Sequence, residues 1–239
     1  MHVQVGSKIL VDEAGARTGS LGDAALDEVV ASYVETFLNS RAEARTFRLE
    51  EITGEPEANL DVRVLFERIE PEPRLVICGA GHVGASLARL ARFIGYRTTL
   101  IDDRADFVTR ERFPDEDIEL VVAVAGWADA LQRSIGAGRG VAVAVVTRGH
   151  NEDEECMRAI ISTHPDYVGL IGSRRRTNIV LDRLREADFD KERLREVRAP
   201  VGLDIGAVSP QEVALAILAE IVANRRGGTG LSLSSWRRT

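Results

Sequence analysis

The chain has 239 residues, 44% hydrophobic and 29% charged, a balance that excludes bulk disorder and leaves room for one large domain or two modest ones. Its 31 Lys and Arg against 38 Asp and Glu leave a net charge of −7, and an acidic surface argues against nucleic acid as a partner. No apolar run approaches the roughly 18 to 20 residues of a membrane span. The N-terminal Met-His-Val-Gln-Val-Gly lacks the basic and apolar parts of a signal peptide, and the two cysteines have no CxxC spacing, so no membrane and a cytoplasmic location are expected.

In chain order, Lys8–Val11 and Ala16–Gly19 flank Asp12–Gly15 as a hairpin. Residues 23–39 place Leu26, Val29, Val30, Tyr33, Val34, Phe37 and Leu38 at helical spacing, with one buried stripe. Thr46–Leu49 reads as a strand, Glu50–Asn59 as an acidic loop and Val62–Phe66 as a closing strand. Pro71-Glu-Pro73 lacks two backbone donors and marks the boundary of a smaller N-terminal α+β domain, residues 1–70.

Beyond it, strands are expected at Leu75–Cys78, Thr98–Ile101, Leu120–Val124, Val141–Val146 and Tyr167–Ile171. Their apolar runs are near-continuous, as strands covered on both faces require. Helices fall between them, at about 83–94, 127–135 and 152–163. Alternation of this kind predicts an α/β domain over 74–226 with a Rossmann-type, doubly wound parallel sheet. Asn151 with Glu154 has capping-box spacing, and Glu152, Asp153 and Glu155 suit a helix N-terminus. Ser209-Pro-Gln-Glu212 opens a last helix that runs to about Asn224, and a loose tail, 227–239, carries Trp236.

The loop Gly79-Ala-Gly81-His82-Val-Gly84 stands between a strand and a helix. Gly79 allows the turn, Gly81 admits a pyrophosphate, and Gly84 lets the helix pack on the strand, while helix amides face the anion. Asp102 ends the second strand and can accept bonds from ribose hydroxyls, which favours NAD over NADP, although Arg104 stands close by. His82 reaches either a phosphate or solvent. His150 follows a strand end among acids that cap the helix. Gly172, Ser173 and Arg174 form an anion clamp, with Arg176, Arg183 and Arg185 on a solvated face. Asp204 contacts ligand or orders its glycine-bounded loop. Cys78 reads as buried and inert, and negative charge around Cys156 opposes its thiolate. No catalytic residue and no metal site is assigned.

These motifs resemble the XdhC/CoxI family. The likeness runs from Leu75 to Arg226 through Gly79–Gly84, Ile101-Asp-Asp-Arg104, Arg112-Phe-Pro114, Val146-Thr147-Arg-Gly-His150, Tyr167–Arg175, Ala199–Gly206 and Ser209–Val222. The resemblance implies accessory proteins that mature molybdenum hydroxylases of the xanthine and CO dehydrogenase type. It further implies that the chain binds a molybdopterin-type molybdenum cofactor, helps its sulfuration with a cysteine desulfurase, and inserts it into the partner apoenzyme, as a carrier without turnover. Thr147, His150, Ser173 and Asp204 join the site through these motifs. Residues 1–70 read as a truncated version of the family's N-terminal domain: Gly22-Asp23 stands where many members have Gly-Gly-Gly-Cys, and the later Cys-Gly-Gly segment is missing. An NAD(P)-binding oxidoreductase and a nucleotide-sensing regulatory module, like the nucleotide-binding subunits of potassium transporters, are the alternatives, and a homodimer is compatible with each.

Overall fold

The computed structural model describes residues 4–12, 14–40, 42–54 and 62–234. It divides into two compact units, 1–70 and 71–239.

In the smaller unit, β1 (Lys8–Val11) and β2 (Arg17–Ser20) form an antiparallel hairpin. Asp12 closes it by accepting the amides of Ala14 and Ala16 at 2.9 and 2.8 Å. Helix α1 (Ala24–Leu38) starts where the Asp23 carboxylate accepts the N–H groups of Ala25 and Leu26. A second antiparallel pair joins β3 (Ala44–Arg48) to β4 (Arg63–Glu67). Leu26, Val30, Phe37, Phe47, Leu49 and Phe66 form the core, and the Tyr33 ring stands edge-on to Phe47 and Phe66 at 5.2 and 5.6 Å. Leu38 does not complete the helical stripe; it is exposed. The expected strand at Thr46–Leu49 begins and ends earlier, because Leu49 opens α2 (Leu49–Thr53), whose start is held by the Glu51 carboxylate accepting the Arg48 amide at 2.9 Å. That helix replaces the first part of the expected 50–59 loop. The rest of that loop, and Trp236, lie outside the described residues.

The larger unit alternates strand and helix: β5 (Arg74–Cys78), α3 (His82–Phe93), β6 (Arg97–Asp102), β7 (Ile118–Val122), α4 (Trp127–Ile135), β8 (Val141–Val145), α5 (His150–Ile161), β9 (Tyr167–Leu170), α6 (Arg174–Glu186), α7 (Lys191–Glu196) and α8 (Pro210–Arg226). All five strands are parallel, in the order β7-β6-β5-β8-β9, so the chain reverses direction across the sheet between β5 and β8. Strand alternation assigns Leu75 and Ile77 to one face, under α3 and α8 with Leu87, Ala91 and Ile217. Val76, Cys78, Val143 and Val145 face the other side, against Leu131 of α4, Met157 and Ile160 of α5, and Val180 of α6. This is the expected doubly wound α/β fold.

Two local expectations shift, and one sheet edge is modified. β7 runs over Ile118–Val122 rather than Leu120–Val124: the Ala123 amide makes the last bond to β6, at the Asp102 carbonyl, and the chain then turns, with the Gly126 amide on the Ala123 carbonyl and Val124 exposed. Helix α5 opens two residues before 152 and is preceded by Gly149 without a side-chain cap, so Asn151 lies inside the helix. The β9 edge is partly covered: Arg198 bridges Gly169 in parallel, and the Arg198 amide donates to the Val168 carbonyl at 2.9 Å. Helix α8 keeps the full Ser209/Glu212 capping box and ends at left-handed Gly227. Among the described residues, no helix is long and apolar enough to cross a membrane.

Candidate functional site

The carboxyl ends of β5, β6, β8 and β9 open into one cavity of about 630 Å³, at the crevice where open α/β sheets receive ligands. Its floor is the glycine loop. Gly79 has φ +108, and a Cβ there would lie 2.6 Å from the Val146 carbonyl oxygen, so the loop crosses β8 too closely for a side chain. At Gly84 a Cβ would stand 1.8 Å from the Gly79 carbonyl oxygen, which fixes how tightly α3 seats on β5. Gly81 differs: its φ is −66, and a Cβ would meet nothing within 4 Å. The space beside it belongs to the cavity. Gly81 has no side-chain cap to offer α3, so the first-turn amides face that space with the helix dipole behind them.

Arginines stand on both sides of this floor, two of them held by buried carboxylates. After β6, Asp102 is 1% exposed. Its Oδ2 accepts the Ala80 amide at 2.7 Å and Arg104 Nη2 at 3.0 Å; its Oδ1 accepts the Arg104 amide at 2.9 Å and Nε at 2.8 Å. Burial pushes its pKa up, but the bonds from Arg104 and Ala80 prevail and hold it down at about 2. The Arg104 guanidinium also lies 3.6 Å from the centroid of Phe107, and Arg112 reaches the same ring at 4.7 Å. On the other side, Asp153 is fully buried; it accepts Thr147 Oγ1 at 2.6 Å and Arg176 Nε at 2.8 Å. There burial prevails and raises the carboxyl pKa against the opposing pull of Thr147 and Arg176. Between the two, Arg148 grips Asp103 through two bonds of 2.8 Å and reaches Glu152 at 2.9 Å.

Of the residues singled out from sequence, Gly79, Gly81, His82, Asp102, Arg104, Thr147 and Gly172 line the cavity, and Gly84 supports its floor from within the core. His150, Ser173, Arg174 and Asp204 are exposed and do not line it. Ser173 accepts the Arg176 amide at 3.3 Å as the cap of α6. Arg176, not Arg174, lines the cavity, held there by its bond to Asp153. The assignment of Arg176 to a solvated face is corrected accordingly; Arg183 and Arg185 do lie at the surface, paired with Glu154 and Asp182. The reading of Asp102 as a ribose acceptor meets a carboxylate already engaged at both oxygens. Its preference for NAD loses that support.

Of the acids around His150, Glu152 and Asp153 stand in the first turn of α5 as expected, and each of the group also has a partner of its own. Glu152 pairs with Arg148, Glu154 with Arg158 and Arg183, and Glu155 accepts the Trp127 amide at 3.2 Å. Arg148, Asp153 and Arg176 were missed as site residues. Arg148 lies inside the quoted Val146–His150 motif, but nothing in its spacing distinguishes it from a surface arginine. Cys78 and Cys156 are both fully buried and in contact, and burial, ahead of Cys78 and the nearby acids, drives the Cys156 thiol well up. No group of three His, Cys, Asp or Glu residues suited to a metal ion occurs among the described residues.

A parallel sheet of order 3-2-1-4-5, with a glycine loop and guanidiniums at the carboxyl end of its first strand, defines a Rossmann domain. The sequence profile of the XdhC Rossmann domain matches residues 75–221, and the chain belongs to that family. It is similar to the protein named YqeB of Escherichia coli K12, described as uncharacterized, with 34% identity over 159 residues, 66% of this chain and 28% of that one. A probable xanthine dehydrogenase subunit from Bacillus subtilis 168 is 30% identical over 171 residues, 72% of this chain and 48% of its own length. The molybdenum cofactor insertion chaperone PaoD of E. coli K12 is 31% identical over 84 residues, 35% of this chain and 26% of PaoD. The chain thus spans between a quarter and a half of these relatives. A solved Bacillus halodurans structure described as a xanthine dehydrogenase shares the fold, with a TM-score of 0.56 at 17% identity, covering 98% of this chain and 93% of that one.

Proposed function

We propose that this protein is an accessory maturation factor for molybdenum hydroxylases of the xanthine or CO dehydrogenase type, working in the cytoplasm and holding a phosphate-bearing cofactor in the cavity at the carboxyl ends of β5 and β8. The observation that carries the reading is the open volume beside Gly81, framed by α3 amides and by Arg104, Arg148 and Arg176. The name of PaoD supports the molybdenum context, and that of the B. subtilis relative the xanthine dehydrogenase type.

The donor set suits a phosphate or pyrophosphate, the group that molybdopterin and a dinucleotide share. In this reading Gly79–Val83 would cradle that group, and the arginines would close on its oxygens. When bound, molybdopterin supplies a dithiolene to molybdenum. The two thiols of this chain are buried, so sulfur for the metal would come from another protein, of the cysteine desulfurase class, and the cofactor would pass to the apoenzyme by release rather than by a step at a side chain. The carboxylates that line the cavity, Asp102, Asp103 and Glu152, are engaged by Arg104 and Arg148, which favours a carrier over an oxidoreductase.

Native mass spectrometry of freshly purified protein, coexpressed with molybdopterin synthesis, tests the reading and reports monomer or homodimer in the same spectrum. The expected result is a bound mass that yields pterin fluorescence after oxidation. Full occupancy by a nucleotide alone, with no pterin after coexpression, would refute the carrier role.

A further inference from the structure

The corner after β6 bears on which nucleotide the cavity accepts, an inference that rests on the proposed reading of the glycine loop as a phosphate cradle. A Rossmann site that takes an unmodified ribose offers a carboxylate at the end of its second strand, whose lone pairs receive the 2′- and 3′-hydroxyl protons. Asp102 occupies that position, but each of its oxygens already accepts two hydrogen bonds, from the Ala80 amide and from the amide and guanidinium of Arg104. The next acid, Asp103, has both oxygens on the fork of Arg148.

What this corner adds to the cavity lining is a donor, Arg104. Arg104 uses Nε and Nη2 on Asp102, and its Nη1 carries no hydrogen bond among the described residues. The guanidinium is fixed from below by the buried carboxylate and from the side by the Phe107 ring at 3.6 Å, so little rotamer freedom remains to be lost when a ligand arrives. The formal charges of Arg104, Arg112 and Arg148 are balanced by Asp102, Asp103 and Glu152. Selection here therefore comes from hydrogen-bond complementarity, not from a positive field. A ribose hydroxyl would bring a proton to a corner whose carboxylates are occupied, whereas a ribose phosphate brings acceptor oxygens to a pre-aimed guanidinium.

We propose that this cavity selects a nucleotide carrying a phosphate on its ribose over the same nucleotide with an unmodified ribose, through Arg104 held in place by Asp102. In this arrangement Asp102 is a positioning residue and Arg104 the contact.

Isothermal titration of the full chain with NADP, NAD, adenosine 2′,5′-bisphosphate and 5′-AMP tests it. NADP is expected to bind at least tenfold more tightly than NAD, with the same preference for the bisphosphate over 5′-AMP. Removing Arg104 alone would leave Asp102 buried without its main partner, so the informative variant is the double substitution Asp102→Asn with Arg104→Ala. It retains an acceptor for the Ala80 amide and strands no charge; its fold is checked by circular dichroism, and its NADP:NAD ratio is expected to fall to about one.

Equal or tighter binding of NAD would mean that Asp103 receives the ribose hydroxyls; the inference is then wrong while the cradle reading stands. An unchanged ratio in the double variant would also overturn it, since the preference would arise elsewhere. If no nucleotide binds but pterin does, the inference fails and the carrier reading survives; if neither binds, both fail.

Discussion

Gly81 and Gly84 stand three residues apart in one motif, and substituting each should have opposite consequences. In Gly84→Ala the new methyl would lie 1.8 Å from the Gly79 carbonyl oxygen, where ordinary contact begins at 3.4 Å, so α3 must retreat by 3.4 − 1.8 = 1.6 Å or the loop must deform. The obstructing atom is backbone, and the helix face that would withdraw carries fully buried Leu87, Ala88 and Ala91. Overpacking typically costs 1–3 kcal/mol, and with so little room to yield the upper end applies, about 3 kcal/mol. For a unit of this size that corresponds to a fall in Tm of roughly 6–12 °C.

Gly81→Val places its side chain in open cavity at a φ that any residue adopts. Its stability cost is confined to the helix start, about 1 kcal/mol or less. Its effect falls on binding, because the isopropyl group fills the volume that the phosphate needs, and affinity for the bound cofactor or nucleotide is expected to drop at least tenfold. Urea unfolding paired with calorimetric titration separates the two outcomes. Gly84→Ala within about 1 kcal/mol of the parent would refute the close seating of α3. Parent-like affinity in Gly81→Val would refute the placement of the ligand against the loop.

Acid stability should report on Asp102, whose folded pKa of about 2 lies below its unfolded value, so its contribution is present above pH 4 and is lost as pH falls toward 2. The loss is about 2 kcal/mol and should vanish in Asp102→Asn, read from urea midpoints over that range; identical acid slopes in the two proteins would contradict the assignment. Asp153 has the opposite sign: its raised pKa makes its contribution greatest at low pH and reduces it as pH rises through the folded value. Arg176→Ala leaves that carboxylate with Thr147 alone, so it should destabilise by about 3 kcal/mol at pH 7 and by clearly less at pH 4, where a proton can replace the guanidinium; equal losses at both would count against the buried pair. Cys78 and Cys156 should resist a thiol reagent such as DTNB in the native protein and both react in denaturant, and rapid native labelling of either would show that the core is open there. Ser209→Ala should cost about 1 kcal/mol through loss of the α8 cap, measured by thermal unfolding.

The sheet was legible because its strands are apolar on both faces and its helices amphipathic, two periods that local sequence records directly. Where the reading slipped, the boundaries of elements decided the matter. β7 starts earlier than hydropathy suggests because Ile118 is buried, and it ends where a turn closes from Ala123 to Gly126 and leaves Val124 exposed. Asn151 looked like a cap because local spacing allows it, yet the backbone enters the helix at His150, after an uncapped Gly149. Leu38 matched the stripe of α1 but falls at its last position, beyond the reach of the core.

The site was legible only where its chemistry is written in backbone. Glycines announce a turn or a close approach because a missing Cβ has a geometric meaning, and Gly79 and Gly84 fall where that meaning predicts. Charged residues carry no such constraint: an aspartate at a strand end can receive a ligand's proton or hold a neighbouring arginine, and one sequence is compatible with either. Here Asp102 and Asp153 hold Arg104 and Arg176, and Asp103 holds Arg148. The acids fix the orientation of the arginines. An acidic protein can in this way line a cavity with guanidiniums, since each is held by a carboxylate beside it, and Arg104 does so with Nε and Nη2 alone. Chain chemistry of this kind becomes readable only when the fold shows which partner each carboxylate already has.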